Sequence, residues 1–345
     1  MPVFDSIIIL GPTAGGKSDL AVSLALSLGN SGTPAEVIGA DSMQVYRHLD
    51  AGTAKPDRTM RQRVRHHLID LVEPTQRFTV HDWLQHAAVV IRGLQDRGGI
   101  PIVVGGTHLY LKALLEGMFD GPGQDEAFRR SLQSIETAVL HQRLAIVDPE
   151  AATRIKPADR QRIVRALEVY DLTGRPISDW QTQWTQTGQE PTHPPLLKRP
   201  LLLGLRWPPE AINPRINLRV KAMFYPEKVE PQLARAVCIN GESLIDEVRR
   251  LRAQGAFEPL GQAVPNQARE ALGYKQLLAY LEGTDPSIGS FEKTFEQTKV
   301  LTRRFAKQQR TWLKRFSAVH WIAADDRPIA AVRQDAMTIW AEQRG

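Results

Sequence analysis

The feature that most constrains the fold of this 345-residue chain is a glycine-rich segment near its amino terminus. A short run of β-branched and leucine residues at 6–10 precedes it, as expected for a buried strand of a parallel sheet. A helical pattern follows at residues 19–26. The segment between them has the spacing G-x-x-x-x-G-K-S and reads Gly11-Pro12-Thr13-Ala14-Gly15-Gly16-Lys17-Ser18. Strand, loop and helix in this order predict a loop that binds phosphate groups.

The residues of this loop suit different parts of such a ligand. The glycines let the backbone curl so that consecutive N–H groups face phosphate oxygens, and the positive end of the following helix stabilises the negative charge. Lys17 places a cation beside the terminal phosphate, and the Ser18 hydroxyl is placed to bind Mg²⁺. The sequence therefore predicts binding of a diphosphate or polyphosphate, and the loop alone leaves the identity of that ligand open.

Two further polar residues follow predicted strands. Asp41 comes after the apolar run 36–40, and Thr107 comes after the glycine pair that ends the run 100–104. Because the carboxyl ends of parallel strands line the ligand crevice, both side chains are expected near the bound phosphates. Asp41 is interpreted as a Mg²⁺ ligand or a catalytic base, with a helix N-cap as the alternative. Thr107 is interpreted as a ligand for phosphate or substrate, again with an N-cap as the alternative.

The strand signal disappears in the middle of the chain. Residues 118–199 contain helical patterns at 125–140 and 160–172, and a stretch rich in Gln, Thr and Pro at 180–200 has the composition of a loop. A strand pattern returns at 201–205. Helices are then predicted at 212–224, 243–254, 269–282 and 291–316.

This organisation predicts an α/β fold with a parallel-sheet core of the P-loop NTPase type and a helical insertion domain. The core, with its carboxyl-terminal helices, is assigned to residues 1–117 and 200–345, and the insertion to residues 118–199.

Composition narrows the class of protein and its compartment. Hydrophobic residues make up 42% of the chain, which is enough for a substantial core. No apolar run reaches the roughly 18 residues that a membrane-spanning helix needs. The first strand begins too close to the amino terminus to leave room for a signal peptide. The single cysteine, Cys238, excludes an internal disulfide. A cytoplasmic protein without membrane contact is expected.

The charge of the chain favours a polyanionic partner, because the net charge is +6 and cations recur along the helix predicted at 291–316. The recurring cations are Arg303, Lys307, Arg310 and Lys314. Gln308 and Gln309 lie among them, so this side of the helix is interpreted either as a solvated surface or as a nucleic-acid contact. The buried side of the helix is predicted to carry Leu301, Phe305, Trp312 and Phe316.

Several blocks of the sequence resemble the tRNA dimethylallyltransferase family. Besides the glycine-rich loop they are Asp41-Ser42-Met43-Gln44-Val45-Tyr46, Gly52-Thr53-Ala54-Lys55-Pro56, Gly105-Gly106-Thr107-His108-Leu109-Tyr110, residues 162–174, Gly273-Tyr274-Lys275-Gln276 and residues 302–312. The blocks occur in family order between residues 6 and 322, which is nearly the whole chain. The combination of Asp-Ser-x-Gln-x-Tyr with Gly-Thr-Ala-Lys-Pro is highly specific.

The resemblance implies transfer of a dimethylallyl group from dimethylallyl diphosphate to N6 of the adenosine at position 37 of tRNA, just 3′ of the anticodon. The loop would hold the departing diphosphate, with Lys17 and a Mg²⁺ ion on Ser18 neutralising its charge. An adenine amine is a poor nucleophile because its lone pair is delocalised, so a carboxylate must orient it and accept its proton, which is the role assigned to Asp41. Thr107 would contact the substrates, and Arg219 would reach the diphosphate.

The resemblance also implies basic helical surfaces that hold the anticodon stem-loop while the target base leaves its stack. The tRNA-contacting residues implied in this way are Asp41, Ser42, Met43, Gln44, Thr107, Arg129, Gln161, Arg162, Arg165, Arg269, Lys275, Arg303 and Lys307. The expected partners are tRNA and dimethylallyl diphosphate, and the expected state is a monomer.

One segment departs from the family pattern. Residues 224–242 separate the helix that carries Arg215 and Arg219 from the next family block, which starts at Ser243. This segment is interpreted as an insertion that either alters the position of Arg219 or forms a surface loop without effect on the chemistry.

Two other classes of function are compatible with parts of the sequence. A small-molecule kinase would bind ATP in the same loop and carry arginines on a mobile lid, a part that arginines of the insertion could have. A non-catalytic RNA-binding protein would use the cations alone and would have no need of the Asp41 carboxylate.

Overall fold

The computed structural model describes residues 4–118, 121–181, 195–259, 266–286, 289–316, 318–325 and 327–342. The chain divides into two compact units. The first unit comprises Met1–Leu111, Leu197–Glu258 and Asn266–Gly345, and the second comprises Lys112–Leu196 and Pro259–Pro265.

The first unit is built around a six-stranded parallel sheet. Its strands are β1 (Ser6–Leu10), β2 (Ala35–Gly39), β3 (His66–His67), β4 (Ile100–Val104), β5 (Pro200–Arg206) and β6 (Val319–Ala323). The order β3-β2-β4-β1-β5-β6 places β1 between β4 and β5, where Ile8 pairs with Val103 on one side and with Leu202 on the other. All five residues of β1 are buried, which explains its continuous apolar run. The predicted α/β fold with a parallel sheet is confirmed.

Helices occur in both units of the described chain. In chain order they are α1 (Lys17–Asn30), α2 (Arg58–Arg63), α3 (Val80–Gln95), α4 (His108–Glu116), α5 (Glu126–Ser131), α6 (Thr137–Val147), α7 (Pro149–Arg154), α8 (Arg160–Thr173), α9 (Ile177–Trp180), α10 (Pro209–Phe224), α11 (Pro231–Val237), α12 (Leu244–Ala253), α13 (Tyr274–Glu282), α14 (Phe291–Leu313) and α15 (Ile329–Glu342). No helix in the described ranges is long and apolar enough to cross a membrane.

Helix α3 fixes the end of β2, from which Asp41 follows. A capping box starts the helix: the Thr79 hydroxyl accepts a hydrogen bond from the Asp82 N–H, and the Asp82 carboxylate accepts one from the Thr79 N–H. One turn on, Trp83 is fully buried, and its indole Nε1 donates to the Gly39 carbonyl at 2.9 Å. The end of the strand is therefore tied to a helix whose own start is well defined.

The prediction of one helix at 125–140 is wrong, because α5 and α6 are separate. The residues between them turn their carbonyl groups towards Arg160 at the start of α8. Its guanidinium donates to the Leu132 carbonyl at 2.6 Å and to the Ile135 carbonyl at 2.7 Å. A side chain 25 or more residues away thus satisfies carbonyl groups that a continuous helix would have bonded internally.

The buried side of α14 also differs from its prediction. Phe305 is 40% exposed, whereas Ala306, Gln309 and Leu313 are buried at spacings of three and four. The helix is therefore rotated relative to the predicted apolar side, and Gln309 faces inward.

Other departures concern short or irregular elements. Helix α13 begins at Tyr274 and not at residue 269, because Gly273 has a φ of 92° that no helix contains. The strands β3 and β6 and the helices α2, α7, α9, α11 and α15 were not predicted. The segment 224–242 contains a 3₁₀ turn, Pro226–Lys228, followed by α11. Most of the loop predicted at 180–200 lies outside the described residues.

Candidate active site at the glycine-rich loop

The glycine-rich loop connects β1, the central strand, to the start of α1. Gly16 has a φ of 82°, in the left-handed region that glycine occupies without strain. The Gly15 N–H donates to the Pro12 carbonyl at 3.2 Å and closes a tight turn within the loop. From the other side, the Trp207 indole Nε1 donates to the Gly15 carbonyl at 3.0 Å. The loop is therefore held in a curled shape with the amino end of α1 behind it.

Lys17 lies inside this curl. Its Nζ donates to the carbonyl groups of Gly11 at 3.0 Å and Pro12 at 2.8 Å. Burial and the nearby charge of Arg219 lower the pKa of Lys17 to about 7, although Asp41 acts in the opposite direction. A lysine with this pKa is only partly protonated near pH 7, because its positive charge has no sufficient counter-charge, and this is the electrostatic condition of a site for an anionic ligand.

Two arginines of α10, the helix that follows β5, contact the loop. The Arg219 Nη1 donates to the Thr13 hydroxyl at 3.3 Å, and the Arg215 Nε donates to the Ala14 carbonyl at 3.1 Å. The Arg215 guanidinium also lies over the Trp207 ring, 4.9 Å from its centre. Burial lowers the pKa of Arg219, while the charges of Asp41 and Asp19 oppose that shift. Arg219 thus lies beside the loop even though the segment 224–242 follows its helix.

Asp41 caps a turn and also lines the cavity beside the loop. Its Oδ1 accepts hydrogen bonds from the N–H groups of Met43 at 2.9 Å and Gln44 at 3.3 Å, so it caps the turn 41–44. No residue in the described part of the chain donates to Oδ2, and Asp41 lines the same cavity as the loop. One oxygen therefore shapes the turn, and the other is available to a ligand.

Thr107 holds this turn from the neighbouring strand. The Thr107 Oγ1 accepts a hydrogen bond from the Ser42 N–H at 2.8 Å and donates to the Ser42 hydroxyl at 3.2 Å. The backbones are equally close, because a Cβ at Gly105 would lie 2.1 Å from the Ala40 carbonyl oxygen. The strand ends of β2 and β4 therefore meet as predicted, and the Thr107 side chain bonds Ser42.

A cavity of about 320 Å³ joins these groups. Its polar lining includes Lys17, Ser18, Asp41, Arg215, Arg219 and Gln309. Its apolar lining includes Val37, Met60, Ile69, Leu218, Leu233, Val237 and Phe305. Two of these apolar residues, Leu233 and Val237, belong to α11 in the segment 224–242. A ligand with an anionic head and a hydrocarbon tail suits such a lining.

The block Gly52–Pro56 contains a buried lysine, Lys55, to which the sequence analysis assigned no role. Lys55 is 1% exposed, and its Nζ donates to the Tyr46 carbonyl at 2.6 Å and to the carboxylates of Asp50 at 2.9 Å and Asp70 at 2.5 Å. The Gln44 amide donates to the Thr53 carbonyl at 3.1 Å. This block therefore fixes the far side of the turn that carries Asp41.

The oxygen donors at the loop fit a magnesium ion that is shared with a ligand. The Ser18 hydroxyl and the carboxylates of Asp19 and Asp41 line one cavity. Among the described residues, no group of three or more His, Cys, Asp or Glu side chains could hold a metal ion by itself. Mg²⁺ is commonly held by one or two protein oxygens together with substrate phosphates, and this donor set is of that kind.

The basic residues predicted to contact tRNA in the first unit differ in their surroundings. Arg269 pairs with Glu282, and Lys275 pairs with Glu270 at 2.6 Å. The Arg303 Nη1 donates to the Asn217 side chain of α10 at 2.5 Å. Lys307 is exposed on α14.

In the second unit, two of the predicted contacts are engaged in an internal ion pair. Glu168 is fully buried; Arg129 bonds it through two nitrogens at 2.7 and 2.9 Å, and Arg165 bonds it at 2.6 Å. Burial by itself would raise the pKa of Glu168, but these hydrogen bonds outweigh it and hold the pKa below its ordinary value. Gln161 and Arg162 are exposed, and Arg162 pairs with Asp159 at 3.5 Å. Arg129 and Arg165 thus have a structural partner, whereas Gln161 and Arg162 face solvent.

Gln309 is the site residue that sequence reasoning placed on the wrong side of its helix. It is 2% exposed, and its Oε1 accepts a hydrogen bond from the Thr13 N–H at 2.8 Å. The spacing of Ala306, Gln309 and Leu313 is that of one helix face, which is the signal that could have found it.

Comparisons with known proteins agree with this geometry. The family model described as IPP transferase matches residues 44–316. The tRNA dimethylallyltransferase of Pelotomaculum thermopropionicum is 40% identical over 93% of this chain and 91% of its own length. That of Geobacter sulfurreducens is 41% identical over 92% of this chain and 91% of its own length.

Solved structures that resemble this chain are also transferases of this kind. The tRNA isopentenylpyrophosphate transferase of Bacillus halodurans is similar with a TM-score of 0.63 and 31% identity, and the match covers 98% of each chain. A eukaryotic dimethylallyltransferase acting on tRNA has a TM-score of 0.72 and 26% identity, over 99% of this chain and 80% of that one. Family model, relatives and structures together show that the chain belongs to the IPP transferase family, that of the tRNA dimethylallyltransferases.

Proposed function

We propose that the protein transfers a dimethylallyl group from dimethylallyl diphosphate to N6 of the adenosine at position 37 of tRNA and releases diphosphate. One observation carries the proposal for the site: a single cavity joins the phosphate-binding loop to the free oxygen of Asp41. The loop suits the diphosphate that leaves in this reaction, and the Asp41 oxygen suits the adenine amine that attacks the donor carbon. Family membership supports the reaction itself.

The loop binds the diphosphate of the donor. Its N–H groups, Lys17 and Arg219 surround the space that the phosphates take, and negative charge grows on the diphosphate as the carbon–oxygen bond breaks. Cations fixed beforehand stabilise that charge without reorganising. When Mg²⁺ is bound at the Ser18 hydroxyl, it supplies further positive charge to the phosphate oxygens.

Asp41 orients and deprotonates the adenine amine. Its Oδ2 accepts a hydrogen bond from the N6–H, orients the nitrogen towards the donor carbon, and takes the proton as the new carbon–nitrogen bond forms. The bond between that carbon and the diphosphate oxygen breaks, so diphosphate leaves with the electron pair. Thr107 contributes by holding the turn 41–44 through Ser42.

The tRNA is held by cations that face solvent. Lys307 in the first unit and Arg162 in the second are exposed and suit phosphate contacts, with Gln161 beside Arg162. Arg303, Arg269 and Lys275 can join them after exchanging their protein partners. The protein acts as a monomer in the cytoplasm, with residues 118–199 as a helical insertion that contacts the tRNA.

Mass analysis of tRNA nucleosides tests the reaction. Purified protein is incubated with unmodified tRNA and dimethylallyl diphosphate, and in parallel with labelled ATP. We expect N6-dimethylallyl adenosine among the nucleosides, formed only from the prenyl donor. Transfer of the labelled phosphoryl group of ATP to any acceptor would favour a kinase instead, and tRNA binding without a mass change would favour a binding protein.

A further inference from the structure

Gln309 lies between the loop and the turn that holds Asp41. Its Oε1 accepts a hydrogen bond from the Thr13 N–H at 2.8 Å, and its Nε2 donates to the Gly106 carbonyl at 3.3 Å. The side chain is 2% exposed, so both bonds lie away from bulk water. Thr13 belongs to the phosphate-binding loop, and Gly106 directly precedes Thr107.

The two bonds require an amide. A buried polar group is costly unless it is hydrogen-bonded, and this position needs an acceptor and a donor at once. A carboxylate supplies the acceptor only, and an apolar side chain supplies neither. The fit is also tight, because a Cβ at Gly106 would lie 2.3 Å from the Gln309 Nε2.

These contacts extend to the turn that holds Asp41, the proposed base. Gly106 is followed by Thr107, whose Oγ1 accepts the Ser42 N–H at 2.8 Å in the turn that Asp41 caps. One short series of hydrogen bonds thus joins the loop, where the leaving group is proposed to sit, to the turn that carries the proposed base. Gln309 is the member of this series that belongs to neither side.

We propose that Gln309 is a positioning residue that sets the separation between the phosphate-binding loop and Asp41. This inference rests on the proposed transfer reaction. Bond formation requires the donor carbon and the amine nitrogen to be held about 3–3.5 Å apart and aligned, and a misplacement of about 1 Å can cost 10²-fold in rate. Loss of Gln309 therefore lowers the rate of the chemical step more than it lowers the affinity for either substrate.

The experiment compares Gln309→Met with Gln334→Met, the same change at an exposed glutamine of α15. Single-turnover formation of modified tRNA is measured with both substrates saturating, together with the dissociation constants of the donor and the tRNA and the melting temperature. For Gln309→Met we expect a rate about 30- to 100-fold lower, with dissociation constants within about threefold of wild type. Gln334→Met is expected to match wild type.

Two further variants keep the test decisive. Gln309→Glu retains the acceptor for Thr13 but loses the donor to Gly106, and Gly106→Ala pushes a methyl group against the intact amide. Both are expected to lower the single-turnover rate, and they decide the matter if Gln309→Met does not fold. Rates within threefold of wild type in the folded variants, or losses confined to substrate affinity, would overturn the inference. An inactive wild-type protein would instead contradict the proposed function.

Discussion

The two tasks proposed for the carboxylate oxygens of Asp41 can be tested separately with one substitution. Asp41→Asn retains an Oδ1 that can accept from Met43 and Gln44, but removes the oxygen that would take the amine proton. General-base catalysis contributes about 10²–10⁴-fold. We therefore expect turnover to fall by at least about 10², while tRNA affinity stays near wild type, as measured by single-turnover assay and filter binding.

Asp41→Ala serves as the comparison, since it also removes the cap of the turn 41–44. It is expected to retain tRNA binding and to be no more active than Asp41→Asn. Full activity in Asp41→Asn would show that Asp41 has only the capping role.

Lys17 should give the proposed diphosphate site a pH dependence whose sign follows from its lowered pKa. Without ligand its pKa is about 7, so above that pH the free protein carries a mainly neutral Lys17. A bound diphosphate favours the protonated form, so binding takes up a proton. We expect the affinity for inorganic diphosphate to weaken as the pH rises above 7, by at most about tenfold per unit. Titration calorimetry between pH 6.5 and about 8.5 measures this.

Lys17→Arg is the matched control because arginine stays charged throughout that range. The diphosphate affinity of this variant should depend less on pH than that of wild type. The titration of the ligand itself contributes equally to both proteins. Equal slopes in the two proteins would show that Lys17 does not titrate on binding.

Single residues of the site could be predicted where the motif fixes the backbone around them. The loop Gly11–Ser18 and the strand ends at Asp41 and Thr107 follow from local patterns, because a parallel sheet brings its carboxyl ends to one edge. Gln309 could not be placed in this way. Its role depends on the rotation of α14 against the loop, which is a tertiary contact between residues 296 positions apart.

At the level of elements, the ion pairs of Glu168 hold α5 and α8 together. Removing the carboxylate leaves Arg129 and Arg165 largely buried without their partner, and breaking such a group typically costs about 3–5 kcal/mol. We expect Glu168→Ala to lower the free energy of unfolding by about that amount, as measured by urea denaturation. Glu150→Ala, at an exposed position of α7, is expected to change it by less than about 0.5 kcal/mol.

The pH dependence of this stabilisation also has a definite sign. Because the pKa of Glu168 lies below its ordinary value of 4.5, the stabilisation is complete above pH 4.5 and is lost as the pH falls through the folded-state pKa. Glu168→Ala should therefore lose less stability on acidification than wild type. Parallel acid titrations of the two proteins would contradict this account.

The same unit shows why element boundaries were harder to predict than element types. Helices were expected in 125–140 and 160–172, and helices are present. The break between α5 and α6 depends on Arg160, whose guanidinium takes the carbonyl groups of Leu132 and Ile135. No local pattern in 125–140 carries that information, because the cause lies in the next helix but one.

For the molecule as a whole, binding of tRNA should depend on salt through its exposed cations. Lys307→Ala removes one of the proposed phosphate contacts, so we expect weaker tRNA binding and a slope of log affinity against log salt that is shallower by about one. Affinity for the donor should stay the same. Lys293→Ala removes an equal charge near the other end of α14 and provides the control.

Arg303→Ala should combine two effects, since its Nη1 also bonds Asn217 of α10, the helix of Arg215 and Arg219. A shallower salt dependence together with weaker donor binding is expected for this variant only. Unchanged salt slopes in both Lys307→Ala and Arg303→Ala would show that α14 does not contact the tRNA.

The central position of β1 has a consequence for how the molecule fluctuates. Opening of a sheet starts at its margins, here the two-residue β3 and the partly exposed β6. The strand from which the glycine-rich loop emerges has hydrogen-bonded neighbours on both flanks, so its amide hydrogens should be among the last to exchange with deuterium. The proposed binding site for the diphosphate is thus attached to a strand that we expect to open late, so local opening at the margins of the sheet should leave it undisturbed.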